Sequence, residues 1–281
     1  MLSRLILINV IVYILANISS LILSLYQIPH THSLFTDWFA VPSNPESLLQ
    51  KPWTIFTYMF LHEDFMHILF NMIMLYFGGS LFQQFLGGKK LLTTYILGGI
   101  AGAAVYILAF NYFPMFSEIT KTSMALGASA SVLAILVAIA VYIPDYSVIL
   151  FLFGKIKMKY IAMALVLMDI LSIEKENPGG HIAHLGGALW GFIYILSIRK
   201  NKNLFLFLNP VKKFFTNIFK PKPKLRVEYK KQRPVNDDEY NRIRAEKQQK
   251  IDAILDKISK NGYDSLTKEE KEFLFSTSNK N

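Results

Sequence analysis

The chain has 281 residues, 52% of them hydrophobic, no cysteine and a formal net charge of +10. The lack of cysteine excludes disulfides, thiolate chemistry and thiolate metal sites. The apolar residues fall in blocks rather than periodic stripes, the pattern of a polytopic membrane protein.

A helix needs roughly 20 apolar residues to cross a bilayer. Six blocks are candidates, at about 5–26, 66–86, 91–113, 124–143, 158–173 and 181–198. The fifth is short and the second carries polar residues. The first is preceded by one basic residue, Arg4, lacks a clear small-x-small cleavage site and is followed by five more blocks. It therefore reads as a retained helix and not a cleaved signal peptide. After it comes a long loop, about 27–65, too aromatic for a simple linker. Trp38, Phe39, Trp53, Phe56, Tyr58 and Phe60 suggest a segment half-embedded at the outer membrane interface.

Residues 1–198 hold nine basic and nine acidic side chains, so the tail from Arg199 carries the whole +10. If six helices alternate, Arg4, Lys89, Lys90, Lys155, Lys157, Lys159, Arg199, Lys200 and Lys202 share one side. The opposite loops hold Lys51, Lys121 and Lys175 among acids such as Glu63, Asp64, Glu118, Glu174 and Glu176. Basic residues mark the cytoplasmic side, so both termini are expected there. The expected organisation is a six-helix transmembrane domain over 1–199, a basic membrane-apposed linker over 200–236, and a small cytoplasmic helical hairpin over 237–281. Within the hairpin, a helix over about 237–260 is broken by NGYDS and followed by LTKEEKEFLF. The hairpin reads either as a solvated tail or as a dock for a cytoplasmic partner. No nucleic-acid motif accompanies its charge.

Polar groups inside a bilayer are costly and usually face the protein interior or water. The second block offers His62, His67 and Asn71, the last two four residues apart on one helix face. The fourth holds Ser129 and Ser131, the fifth Asp169, and the sixth His181 and His184. A serine hydroxyl needs a base to become a nucleophile, and histidine titrates in the right range. An oxyanion then needs donors, which a histidine, an asparagine amide and a backbone N–H can supply. Singly, each residue has a structural reading: serine packs between helices, a His/Asn pair ties helices, and glycines allow close packing.

Taken together and in order, the residues resemble the rhomboid family of intramembrane serine proteases over about 50–198. HILFN resembles the family's H-x-x-x-N, GASA at 127–130 its G-x-S-G, and HLGGALWG at 184–191 its histidine with glycines three and seven places on. The resemblance is to the bacterial type, with six helices and a cytoplasmic tail, and it implies the inner membrane. It implies Ser129 as nucleophile, with Ser131 about 200° round the helix. It implies His184 as general base, His181 being the rival because its own +3 residue is His184 instead of glycine. It implies an oxyanion hole from His67, Asn71 and the Ser129 N–H, a Ser–His dyad without a third member, and no cofactor or metal. The substrates implied are membrane proteins with a single transmembrane segment near the outer face. Gly127, Ala128, Ala130, Gly187 and Gly191 are expected to let the fourth and sixth helices approach until the dyad meets. Four positions depart from the family pattern: Ala130 follows the serine, Leu133 replaces an aromatic that stacks on the base, Thr54 follows Trp53 in place of arginine, and Gln83 replaces a glutamate.

A metal site from His62, His67, His181 and His184 leaves the Gly-x-Ser pattern unexplained, and HEDFMH spaces its histidines five apart, where a zinc-protease helix needs four. A transporter needs more intramembrane charge than Asp169 supplies. A non-catalytic relative that binds transmembrane segments would have no use for the full set of Ser129, His184, His67 and Asn71.

Overall fold

The computed structural model describes residues 1–28, 33–150, 154–175, 177–200 and 236–278. The basic linker expected over 200–236 lies almost wholly outside the described residues. The chain divides into two compact units.

The first unit is helical. In chain order it contains α1 (Leu2–Leu25), α2 (Leu34–Phe39), β1 (Val41–Pro42), α3 (Pro45–Gln50), α4 (Thr54–Thr57), α5 (Phe65–Leu86), α6 (Gly88–Tyr112), β2 (Met124–Ala125) and α7 (Ser129–Tyr142). A β3–β4 hairpin (Ser147–Leu150, Gly154–Lys157), α8 (Met158–Ser172) and α9 (Pro178–Arg199) complete it. α1, α5, α6 and α9 are long and apolar enough to cross a membrane, while α7 is shorter. All six expected blocks are therefore helices, α1, α5, α6, α7, α8 and α9, and the architecture is an all-α membrane bundle.

The fourth block differs from expectation. The apolar run 124–143 predicts one continuous helix. Instead, Met124 and Ala125 form β2, Gly127 takes a φ of +123°, and the helix starts at Ser129 itself. A left-handed glycine followed directly by a helix start ends the extended segment sharply. The 14 residues of α7 span about 21 Å at ~1.5 Å per residue, against a hydrocarbon core of ~30 Å. Ser129 therefore sits where a helix begins.

α7 is the centre of the bundle. Every residue from Ala130 to Ala140 is buried, packed among α5, α6, α8 and α9. Its contact with α9 is close: a Cβ built on Gly187 would lie 2.0 Å from the Ala130 carbonyl oxygen, and one on Gly191 2.2 Å from that of Ala134. On the α6 side, a Cβ on Gly98 would lie 2.4 Å from the Ala134 Cβ and one on Gly102 2.6 Å from the Ala130 Cβ. Small residues thus let three backbones meet. At the far end of α7, Arg199 of α9 donates to the Val141 and Tyr142 carbonyls at 2.8 and 3.2 Å, a cation on otherwise unpaired helix-end oxygens.

α1 is held by a buried polar contact to α6. Asn9, fully buried, donates from Nδ2 to the Tyr95 hydroxyl at 3.0 Å, and that hydroxyl donates to the Met59 carbonyl at 2.7 Å. Gln83, where the family pattern has glutamate, accepts from the Leu2 N–H at 3.1 Å and so joins the two helix ends. In the loop before α5, Trp38 and Trp53 stack at 6.3 Å with both rings substantially exposed, as an interfacial segment would present them. β1 of this loop pairs with β2, Val41 opposite Ala125, which ties the aromatic loop to the segment leading into Ser129.

The second unit holds α10 (Asp237–Asn261) and α11 (Lys268–Ser278). Gly262, at a φ of +77°, ends α10. Thr267 and Glu270 form a capping box at the start of α11: the Glu270 carboxylate accepts from the Thr267 N–H at 2.8 Å, and the Thr267 hydroxyl accepts from the Glu270 N–H at 3.3 Å. Lys257 of α10 donates to both Glu270 oxygens at 2.9 Å, and Ile254 and Leu266 are buried.

Candidate active site

The segment before α7 is pinned at two points. The Gly127 N–H donates to the Tyr58 carbonyl at 3.0 Å. The Ala128 N–H donates to His62 Nε2 at 3.3 Å. His62 is fully buried, and burial, helped by its neighbour His67, pushes its pKa down to about 3, with the Phe60 carbonyl opposing. The ring is therefore neutral, which is the state that can accept at Nε2. His62 supports the loop beside Ser129; its own Nδ1 is buried without a hydrogen-bond partner among the described residues.

The pinned loop delivers Ser129 as the first residue of α7. The first N–H groups of a helix have no intrahelical acceptor, and the helix end carries partial positive charge. The Ser129 N–H is one of these groups. Gly127 also leaves room for His67: a Cβ there would meet the His67 ring at 2.8 and 2.9 Å and would lie 3.6 Å from Ser129 Oγ. His67 comes from the first turn of α5, edge-on to His62 with ring centroids 5.0 Å apart. Asn71, one turn on, is buried and donates from Nδ2 to the His67 carbonyl at 2.9 Å. An amide nitrogen carries a second hydrogen that this bond does not use.

A cavity of about 470 Å³ brings the pieces together. Ser129, His67, Asn71, His184, His181 and Asp169 all line it. The remaining walls are mostly apolar, with Met66, Phe70 and Met74 from α5 and Leu165 and Met168 from α8. Ser131 does not line it; it is fully buried on another side of α7, its hydroxyl 3.9 Å from the Met59 sulfur. Leu133, where the family pattern has an aromatic, lies in the cavity wall. Among the described residues no hydrogen bond joins Ser129 Oγ to either α9 histidine. Catalytic hydrogen bonds often tighten only when substrate binds.

Asp169 is the residue whose place the sequence did not disclose. By sequence it is a lone intramembrane carboxylate, and the family resemblance implies no third member. In the structure its Oδ1 lies 2.7 Å from His184 Nδ1 and 2.8 Å from His181 Nδ1. The signal was present, since a carboxylate in an apolar helix calls for a partner. Sequence spacing alone does not show which face of α8 turns toward α9. These three ligand atoms lie within 4.8 Å of one another and are the one histidine–carboxylate group of that kind among the described residues. The spacings to the carboxylate are hydrogen-bond lengths, tighter than the ~3.3 Å that two ligands keep on a tetrahedral zinc at ~2.0 Å. His62 and His67 do not join this group.

Comparison with known proteins agrees with this architecture. A rhomboid-domain family model matches residues 49–201, and a family of unknown function (DUF6576) matches residues 236–280. The chain is 31% identical over 158 residues to "RHOMBOID-like protein 12, mitochondrial" of Arabidopsis thaliana, covering 53% of this chain and 47% of that one. It is 28% identical over 182 residues to "Presenilin-associated rhomboid-like protein A, mitochondrial" of Danio rerio, covering 63% and 45%. It is 24% identical over 190 residues to "Rhomboid protein 1, mitochondrial" of Saccharomyces cerevisiae, covering 65% and 51%. The chain thus spans about half the length of these curated relatives. All three are named as mitochondrial, so they lend no support to a bacterial type. With the rhomboid-domain model matching more than half of its length, the chain belongs to the rhomboid family.

Proposed function

We propose that this protein is an intramembrane serine endopeptidase that cuts other membrane proteins in or near a transmembrane segment. The observation that carries the reading is that Ser129, at the N-terminus of α7, lines one cavity with His184, His67 and Asn71. In the proposed reaction His184 Nε2 takes the Ser129 hydroxyl proton while Oγ attacks the peptide carbonyl. The negative oxygen is held by the Ser129 N–H, Asn71 and His67. The C–N bond then breaks, His184 protonates the leaving amine, and water drawn through the same base hydrolyses the acyl-enzyme.

His184 is favoured over His181 because its glycines at +3 and +7, Gly187 and Gly191, are the ones pressed against α7. The mixed apolar wall from α5 and α8 suits a substrate segment arriving from the bilayer. A helical substrate must unwind locally to expose a carbonyl, which favours Gly, Pro or polar residues at the cut. The charge pattern supports both termini on the cytoplasmic side; a bacterial inner membrane rests on the sequence resemblance alone. The α10–α11 unit is proposed as a dock for a cytoplasmic partner.

The test is cleavage of single-span model substrates in proteoliposomes by wild type, Ser129→Ala, Ser131→Ala, His184→Ala and His181→Ala. Loss of cutting in Ser129→Ala and His184→Ala, with Ser131→Ala close to wild type and His181→Ala weakened but active, is expected. A wild type that cuts nothing across a broad panel but still binds transmembrane segments would make this a non-catalytic member of the family.

A further inference from the structure

We propose that Asp169 is a positioning residue: it holds the His184 ring with Nδ1 protonated and Nε2 free toward Ser129, and His181 is the second donor that fixes the carboxylate for that task. The proposal rests on the protease reading above and extends it beyond a two-residue mechanism.

Asp169 sits on α8, only 8% exposed, in a helix that is otherwise apolar around it. A carboxylate at such depth is expensive unless paired and hydrogen-bonded. The structure gives it two partners on one oxygen, His184 Nδ1 at 2.7 Å and His181 Nδ1 at 2.8 Å. A carboxylate only accepts, so each imidazole must donate through Nδ1. In a neutral ring the lone pair is then on Nε2, which is the nitrogen a serine base must use. Without the carboxylate, His184 would divide itself between two tautomers and would rotate about its side-chain bonds.

His181 gains a role on the same grounds. Two donors converging on Oδ1 leave Asp169 little rotational freedom, so the second histidine fixes the acceptor that orients the first. The two rings lie edge-on with centroids 5.9 Å apart, side by side on successive turns of α9 with the carboxylate between them. Asp169 stays ionised throughout and takes no proton; it stabilises the imidazolium that forms on His184 during attack. The groups facing this carboxylate are the two α9 histidines, with His67 across the cavity on α5.

The rival explanation is that Asp169 only ties α8 to α9. Orientation of a base changes turnover and serine reactivity; a lost tie changes stability and substrate binding. The experiment compares wild type, Asp169→Asn, Asp169→Ala and His181→Ala as full chains in proteoliposomes. It reads kcat and KM on a single-span substrate, the rate at which Ser129 is labelled by a fluorophosphonate, and the thermal midpoint. We expect Asp169→Ala to lower kcat and the labelling rate about tenfold or more, with KM and midpoint little changed. Asp169→Asn, which keeps an acceptor oxygen, should recover part of the loss, and His181→Ala should fall between wild type and Asp169→Ala. Wild-type labelling and turnover in Asp169→Ala, alongside a dead Ser129→Ala, would overturn the proposal while leaving the Ser–His mechanism intact. A joint fall in midpoint and rise in KM in both Asp169 variants, with an unchanged labelling rate in the folded fraction, would make Asp169 a tie and overturn it as well. A wild type that neither cuts nor labels would overturn the protease reading, and the positioning role with it.

Discussion

The seam between α6, α7 and α9 and the seat of α8 are two different solutions to packing in one bundle. In the seam, side chains are nearly absent and backbones touch: no Cβ fits at Gly187 or Gly191 without moving the α7 backbone. α8 instead presents Tyr160, Met163, Leu167, Ile170 and Leu171 outward and turns Asp169 inward to the α9 histidines. The candidate site straddles the two. Ser129 and His184 come from the rigid seam, and Asp169 comes from the helix with the larger free surface. The difference teaches that a site can take its distances from close backbone packing and its ring orientation from one polar contact.

The largest expected effect is at the seam. Gly187→Val or Gly191→Val forces a branched side chain against a carbonyl and should cost about 3 kcal/mol or more, measured as a collapse of the thermal midpoint with loss of cleavage. A Gly187→Val protein with wild-type stability would show that the seam is not rigid. Next is Gly127→Ala, which puts a Cβ into the His67 ring at an unfavourable φ. We expect a strain of roughly 1–3 kcal/mol and a kcat loss larger than the fall in stability explains. Asn71→Ala should lower kcat by about 100-fold with KM little changed; equal losses in binding and turnover would remove Asn71 from the oxyanion site. On the loose side, Leu171→Ala is outward-facing and should shift stability by no more than about 0.5 kcal/mol with cleavage unchanged. Smallest for the membrane unit is Thr267→Ala, which removes the α11 cap. It should loosen that helix by about 1 kcal/mol, seen as faster amide exchange in α11 with cleavage untouched.

By itself the sequence determined much of this protein. Apolar blocks located six helices, four of them long enough to cross a membrane, because a lipid-exposed backbone must satisfy its own hydrogen bonds. The ordered fragments around His67, Ser129 and His184 marked the family and the residues that line one cavity. Acids near Asp237 and the break at Gly262 marked the two tail helices. Tertiary structure decided the rest. It moved the start of α7 to Ser129, because the turn at Gly127 and the pairing of β2 with β1 are contacts between segments far apart in the chain. It gave Asn9 and Gln83 partners on other helices. It turned Asp169 toward His181 and His184, since the face of a short apolar helix that points inward depends on its neighbours and not on its own pattern.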